Sequence, residues 1–184
     1  MDFDYLRKFY RRPRESAALE LLEFPESYPG LAPWNEFETR VRFSRCPSFR
    51  PYSVWALQMR EKTAQVRRVE WDHVADAQLR DTLPDGPPTA YGADAELPLA
   101  AANRLLDDLA ALSLPPFLPI NTVGIDGVTF GIHFGNSWRS AKLSWWGDPP
   151  KAWQPMVTLY DDAITLFEKL LPVSTSQYGS KPSA

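Results

Sequence analysis

Histidine is the side chain that most readily moves protons near neutral pH, and this chain has only two, His73 and His133. His133 falls in a strand-like run whose expected partner strand sets Ser140 across from it, which brings an imidazole near a hydroxyl. A polar residue on the wet side of a sheet explains the same position more simply. His73 follows Asp72 at a strand end, where neighbours in sequence point to opposite faces. The pairs Asp107-Asp108 and Asp161-Asp162 lie on helical segments, where adjacent residues diverge by about a hundred degrees and suit solvated faces better than a metal site. Asp126 precedes Gly127, and a turn accounts for it. The single cysteine, Cys46, excludes an internal disulfide and any cysteine-cluster metal site, and reads as a small buried hydrophobe. Glycine-rich phosphate loop, zinc-ligand spacing and serine-hydrolase elbow are all missing. The expectation is a non-enzymatic protein with no cofactor and no metal.

Charge narrows the partners. The formal net charge of -3 gives no general attraction to nucleic acid or anionic membranes. The basic run Arg7, Lys8, Arg11, Arg12 and Arg14, interleaved with Tyr5, Phe9 and Tyr10, has the composition of a single-strand binder. Glu15, Glu20, Glu23 and Glu26 follow it closely, and a solvated helix face is the preferred reading. The charged start and the lack of any long apolar run predict a cytoplasmic protein with no membrane association. Beyond Pro172 the Ser-, Gly- and Pro-rich end predicts a disordered tail, 173–184, after a single domain over 1–172.

The 18 prolines divide the chain into short elements. Phe3, Leu6, Phe9 and Tyr10 recur at helical spacing, Pro13 interrupts, and Ala17, Ala18, Leu21 and Leu22 resume the pattern to Phe24. Val41 and Phe43 alternate with Arg40, Arg42 and Ser44, which predicts a strand. Two further strands carry Trp55, Leu57 and Met59 and then Val69 and Trp71; a loop at Lys62-Thr63-Ala64 would set Trp71 opposite Trp55. The segment from Pro84 to Gly92 reads as a loop. Helices are predicted over Leu97–Leu112 and, with the clearest amphipathicity, over Trp153–Leu171.

Four of the seven tryptophans fall between Trp138 and Trp153. Two turns, a type I′ turn at Asp126-Gly127 and a four-residue loop at 135–138, place Val123, Ile125, Val128, Phe130, Ile132, Ala141, Leu143 and Trp145 on one face. His133, Ser140, Lys142, Ser144 and Trp146 take the other. Trp146 then lies over the bare backbone of Gly127, or is covered by Trp153, or forms part of a recognition surface.

The run Gly124-Ile125-Asp126-Gly127, with Trp145-Trp146, Pro149-Pro150, Trp153 and Pro155, resembles a pattern in small bacterial proteins, some of which accompany toxin systems as immunity proteins. The resemblance covers about a quarter of the chain and implies no catalytic residues. It implies a protein partner, with a cognate toxin as the example. The expected fold is α+β, an antiparallel sheet of five to six strands with helices packed on one face. The expected function is protein binding through Trp146, Trp138, Trp153 and His133. A small enzyme or ligand-binding domain on the His133 face is the alternative.

Overall fold

Every residue from Tyr52 to Gln58 is buried, and these make up nearly all of strand β2 (Tyr52–Met59). A strand buried at both alternations must be covered on both sides of its sheet. The computed structural model, which describes residues 3–35, 38–83, 85–115, 126–135, 140–172 and 176–177, shows how this is achieved. In chain order the elements are helices α1 (Phe3–Arg7) and α2 (Pro13–Glu23), strands β1 (Thr39–Pro47), β2 and β3 (Ala64–Trp71), helix α3 (His73–Gln78), and strand β4 (Ala90–Leu97). Helix α4 (Leu99–Ala111), strands β5 (Val128–Gly135) and β6 (Ser140–Trp146), helix α5 (Gln154–Leu170) and the two-residue strand β7 (Ser176–Gln177) follow. The fold is α+β. The strands form one antiparallel sheet in the order β6-β5-β1-β2-β3-β4-β7.

The middle and C-terminal helices, α4 and α5, pack on one face as the pattern predicts. Phe43, Leu57, Val66, Ile132 and Trp145 from the sheet meet Leu105, Leu109, Tyr160 and Phe167 there. The other face is covered as well: α2 lays Leu19 and Leu22 on Val54, Val69 and Trp71. Pro13 opens α2 at its first turn, where its missing N–H costs nothing. The chain beyond Pro172, for which composition predicts disorder, contributes Ser176 and Gln177 to the sheet edge beside Gly92 and Tyr91.

Two registers differ from expectation. Trp55 pairs with Arg68, and Trp71 pairs with Tyr52, because the β2–β3 loop closes at Arg60–Thr63. The shift of three residues puts Trp71 on the α2 face instead of beside Trp55. The β5–β6 hairpin is shifted by two, with Phe130 opposite Trp145 and Phe134 opposite Ala141. Since side chains alternate with period two, every residue there keeps its predicted face. Both edges of β5 are occupied, by β1 and β6, and Gly127 does not take the positive φ that the expected type I′ turn requires, so the expected pairing of β5 with a first arm is not formed; Val123 and Ile125 themselves lie outside the described residues.

Trp145 is 7% exposed, stacked on Phe130 at 5.4 Å and edge-on to Tyr160 at 5.4 Å. Trp145→Ala is expected to destabilise by about 3–5 kcal/mol in urea unfolding, and the half-buried Trp146→Ala by clearly less. Equal losses would contradict the facing of this hairpin.

Candidate functional site

One row of side chains crosses the α2 face of the sheet from β4 to β6. Asp94 pairs with Arg67, Arg67 with Ala56, Ala56 with Arg42, Arg42 with His133, and His133 with Lys142. At the usual strand spacing the row is about 24 Å long. Only Ala56 in it is apolar, and that gap is bridged from above. Glu26, in the turn after α2, accepts Arg67 Nη1 on its backbone oxygen at 2.9 Å and Arg42 Nη2 on its carboxylate Oε1 at 2.6 Å. Asp94, Arg67, Glu26 and Arg42 thus alternate in sign, and each charge has an opposite neighbour.

The last two members lack such compensation. Arg42 Nη1 donates to His133 Nδ1 at 3.4 Å. A guanidinium only donates, so Nδ1 accepts and a neutral ring carries its proton on Nε2. Burial first, and then the charges of Arg42 and Lys142, hold the His133 pKa below its ordinary value. Lys142 lies 5.9 Å from the centre of the Phe3 ring and has no carboxylate partner among the described residues. Beside this end is a cavity of about 190 Å³, lined in part by Arg42, Ser44, His133 and Lys142. With Nδ1 engaged, the imidazole is poorly placed to accept a proton. It is well placed to donate one hydrogen bond in a positive field.

Of the four residues predicted as a binding site, Trp138 lies outside the described residues and the other three are not gathered together. His133 and Trp146 share a face but stand four residues apart along the hairpin, about 13 Å. Lys142 stands opposite His133 where Ser140 was expected, because the hairpin is shifted by two. Trp146 does lie over Gly127: a Cβ built there would be 2.7 Å from the indole. Trp153 is on the opposite side of the sheet, packed against the α4–α5 core, and donates Nε1 to the Pro115 carbonyl at 3.0 Å. It therefore does not cover Trp146. His73 opens α3 and bonds the Arg50 carbonyl at 3.0 Å, with its ring tilted on Tyr52; burial lowers its pKa. Among the described residues no group of three His, Cys, Asp or Glu side chains is placed to hold a metal ion.

A second concave feature lies on the other face. The Trp153–Pro115 bond joins the segment after α4 to the start of α5. Between the two helices is a groove of about 540 Å³, with Leu105, Leu112, Leu159 and Leu166 along it and Asp108 and Asp162 at its rim. Arg104 reaches Asp108 at 3.8 Å, while Asp107, Asp161 and Asp162 have no ion-pair partner among the described residues. Both aspartate pairs are exposed, as the helical spacing predicts.

No family model, curated protein or solved structure matches the chain. Arg42, Glu26 and Lys142 were not singled out in sequence. Alternation puts Arg42 and Lys142 on polar strand faces, but the pairing of Arg42 with His133 spans 91 residues and leaves no local signature.

Neutral His133 has a consequence for stability. With its folded pKa below 6.5, the unfolded chain takes up the proton first as pH falls. Stability is full above that value and declines as pH drops from 6.5 toward the folded pKa. Between about pH 7.5 and 5.5 the wild type is expected to lose urea stability, and His133→Gln to lose less, with His73 supplying the remainder. An identical pH slope in both proteins would remove His133 as a cause.

Proposed function

We propose that the protein is a non-enzymatic protein-binding protein that receives a helix of its partner in the groove between α4 and α5. The observation that carries this reading is the groove itself. Its apolar length is lined by buried and half-buried leucines, and its rim carries Asp108 and Asp162 with Arg104, which pairs with Asp108 and leaves the rim net negative. An amphipathic helix with apolar side chains on one stripe and Lys or Arg beside it complements both features. The helices flanking the groove have 13 and 17 residues, long enough to lie beside about four turns of a docked helix. Trp153 fixes the start of α5 against the segment after α4.

The engagement of both imidazoles supports a non-enzymatic role. His133 accepts from Arg42, and His73 is tied to backbone. The resemblance to immunity proteins of toxin systems narrows the proposal to a cognate toxin as partner. No described helix is long and apolar enough to cross a membrane, which accords with a cytoplasmic encounter.

Ala111 and Thr158 line the groove and are exposed, so large side chains there obstruct it without disturbing the core. Tagged wild type is expected to recover a stoichiometric protein partner from its native host, and the double variant Ala111→Trp, Thr158→Trp to recover about ten-fold less. A wild-type protein that recovers no such partner, or a partner held equally by both, would overturn the proposal.

A further inference from the structure

The cavity beside His133 is unrelated to the α4–α5 groove, being on the opposite face of the sheet, and its construction points to a ligand of its own. Next to the polar row runs a second row, in which Val54 pairs with Ser44, Ser44 with Gly131, and Gly131 with Ser144. From Ser44 to the sheet edge these side chains are small, so the strands leave a hollow where the neighbouring row ends in His133 and Lys142. Helices α1 and α2 and the residue after α2 close it from above with Phe3, Leu22 and Phe24. The result combines apolar walls with three nitrogen-bearing side chains, and the Phe3 ring lies 5.9 Å from the Lys142 ammonium.

The charges are arranged unevenly. Glu26 is committed to Arg42 by two hydrogen bonds, at 3.2 and 2.6 Å. Glu23, the acidic side chain that lines the cavity, is ion-paired with Arg7. Lys142 stands opposite His133, and His133 opposite Arg42, an arrangement in which like charges repel across strands. A neutral imidazole between two cations relieves part of that repulsion. An anion received between Lys142 and the His133 Nε2–H relieves more, because it is attracted to the ammonium and accepts a hydrogen bond from the ring.

We infer that this cavity binds a small organic carboxylate, its carboxyl group between Lys142 and His133 and its apolar body against Phe3, Leu22 and Phe24. The volume of about 190 Å³ is below the range of drug-sized sites and suits a compact acid. The apolar walls distinguish such a ligand from inorganic phosphate, which would leave them without a partner. Arg42, already held by Glu26, orients the imidazole and contributes to the field.

Calorimetric titration of the full chain with sodium benzoate, benzamide and sodium phosphate tests this directly. Benzoate is expected to bind saturably and about ten-fold or more tighter than either benzamide, which has the same shape without the charge, or phosphate, which has charge without the apolar body. Lys142 is exposed, so Lys142→Gln should fold normally and lose about ten-fold in benzoate affinity while its benzamide affinity is unchanged. A readout independent of affinity is the His133 titration by NMR, which benzoate should move upward, since the bound anion favours the imidazolium. Among the described residues Arg42, Lys142, Glu26 and Glu23 are the charged groups near the ring, and of these the benzoate carboxylate is expected to displace none. The inference is overturned if benzoate fails to saturate by about 10 mM, if benzamide or phosphate binds as well as benzoate, or if Lys142→Gln leaves benzoate binding intact.

Discussion

The structure depends on a polar row that crosses one buried face of its sheet, and on the buried guanidinium of Arg67 within it. Arg67 is 0% exposed. It donates to both oxygens of Asp94, each at 2.7 Å, and to the carbonyls of Pro25, Glu26 and Ala32 at 3.0, 2.9 and 2.6 Å. These use every N–H a guanidinium has, and Trp34 covers its face at 4.4 Å. A buried charge without partners is strongly destabilising, so Arg67 requires the segment from Pro25 to Trp34 to lie on the sheet. That segment carries Glu26, and Glu26 holds Arg42 against His133. The geometry of the cavity edge is therefore set by a contact three strands away.

This requirement also explains why both faces of the sheet are covered. α2 and the segment after it make a second apolar layer with Tyr28, Leu19, Leu22 and Trp71, and the row runs beneath that layer. Tyr28 packs so closely on β4 that a Cβ at Gly92 would lie 2.6 Å from its ring, and its hydroxyl donates to the Ala90 carbonyl at 3.0 Å. The α4–α5 face is different in kind. It is apolar at the sheet and acidic at its outer surface, so the protein presents a negative groove on one side and a positive cavity on the other. The two concave features lie on opposite faces of the sheet.

Local patterns were informative wherever one face of an element is buried. α5 was legible from Tyr160, Ile164 and Phe167, and the facing of the β5–β6 hairpin from Phe130, Ile132, Leu143 and Trp145. The patterns failed where burial is two-sided. In β2 both alternations are apolar, so Trp55 and Trp71 looked like natural partners and nothing local opposed the wrong register. β4 begins inside the segment that reads as a loop, because Ala90-Tyr91-Gly92-Ala93-Asp94-Ala95-Glu96-Leu97 is poor in the branched residues that mark strands; its place is secured by Asp94 on Arg67 and by Tyr28 on Gly92. The tryptophan cluster dissolved into separate roles for a related reason. Trp145 and Trp146 are adjacent in sequence, yet they point to opposite faces of the sheet, and Trp153 serves the helix pair.

From Asp94 to Arg42 the row is charge-balanced, and its surplus positive charge is that of Lys142, opposite a neutral His133. The pKa of His133, followed by NMR in the wild type and in Lys142→Gln, measures this most directly. A wild-type value below 6.5 is expected, moving upward when the Lys142 charge is removed. A wild-type value at or above 6.5, or one that Lys142→Gln leaves in place, would contradict it.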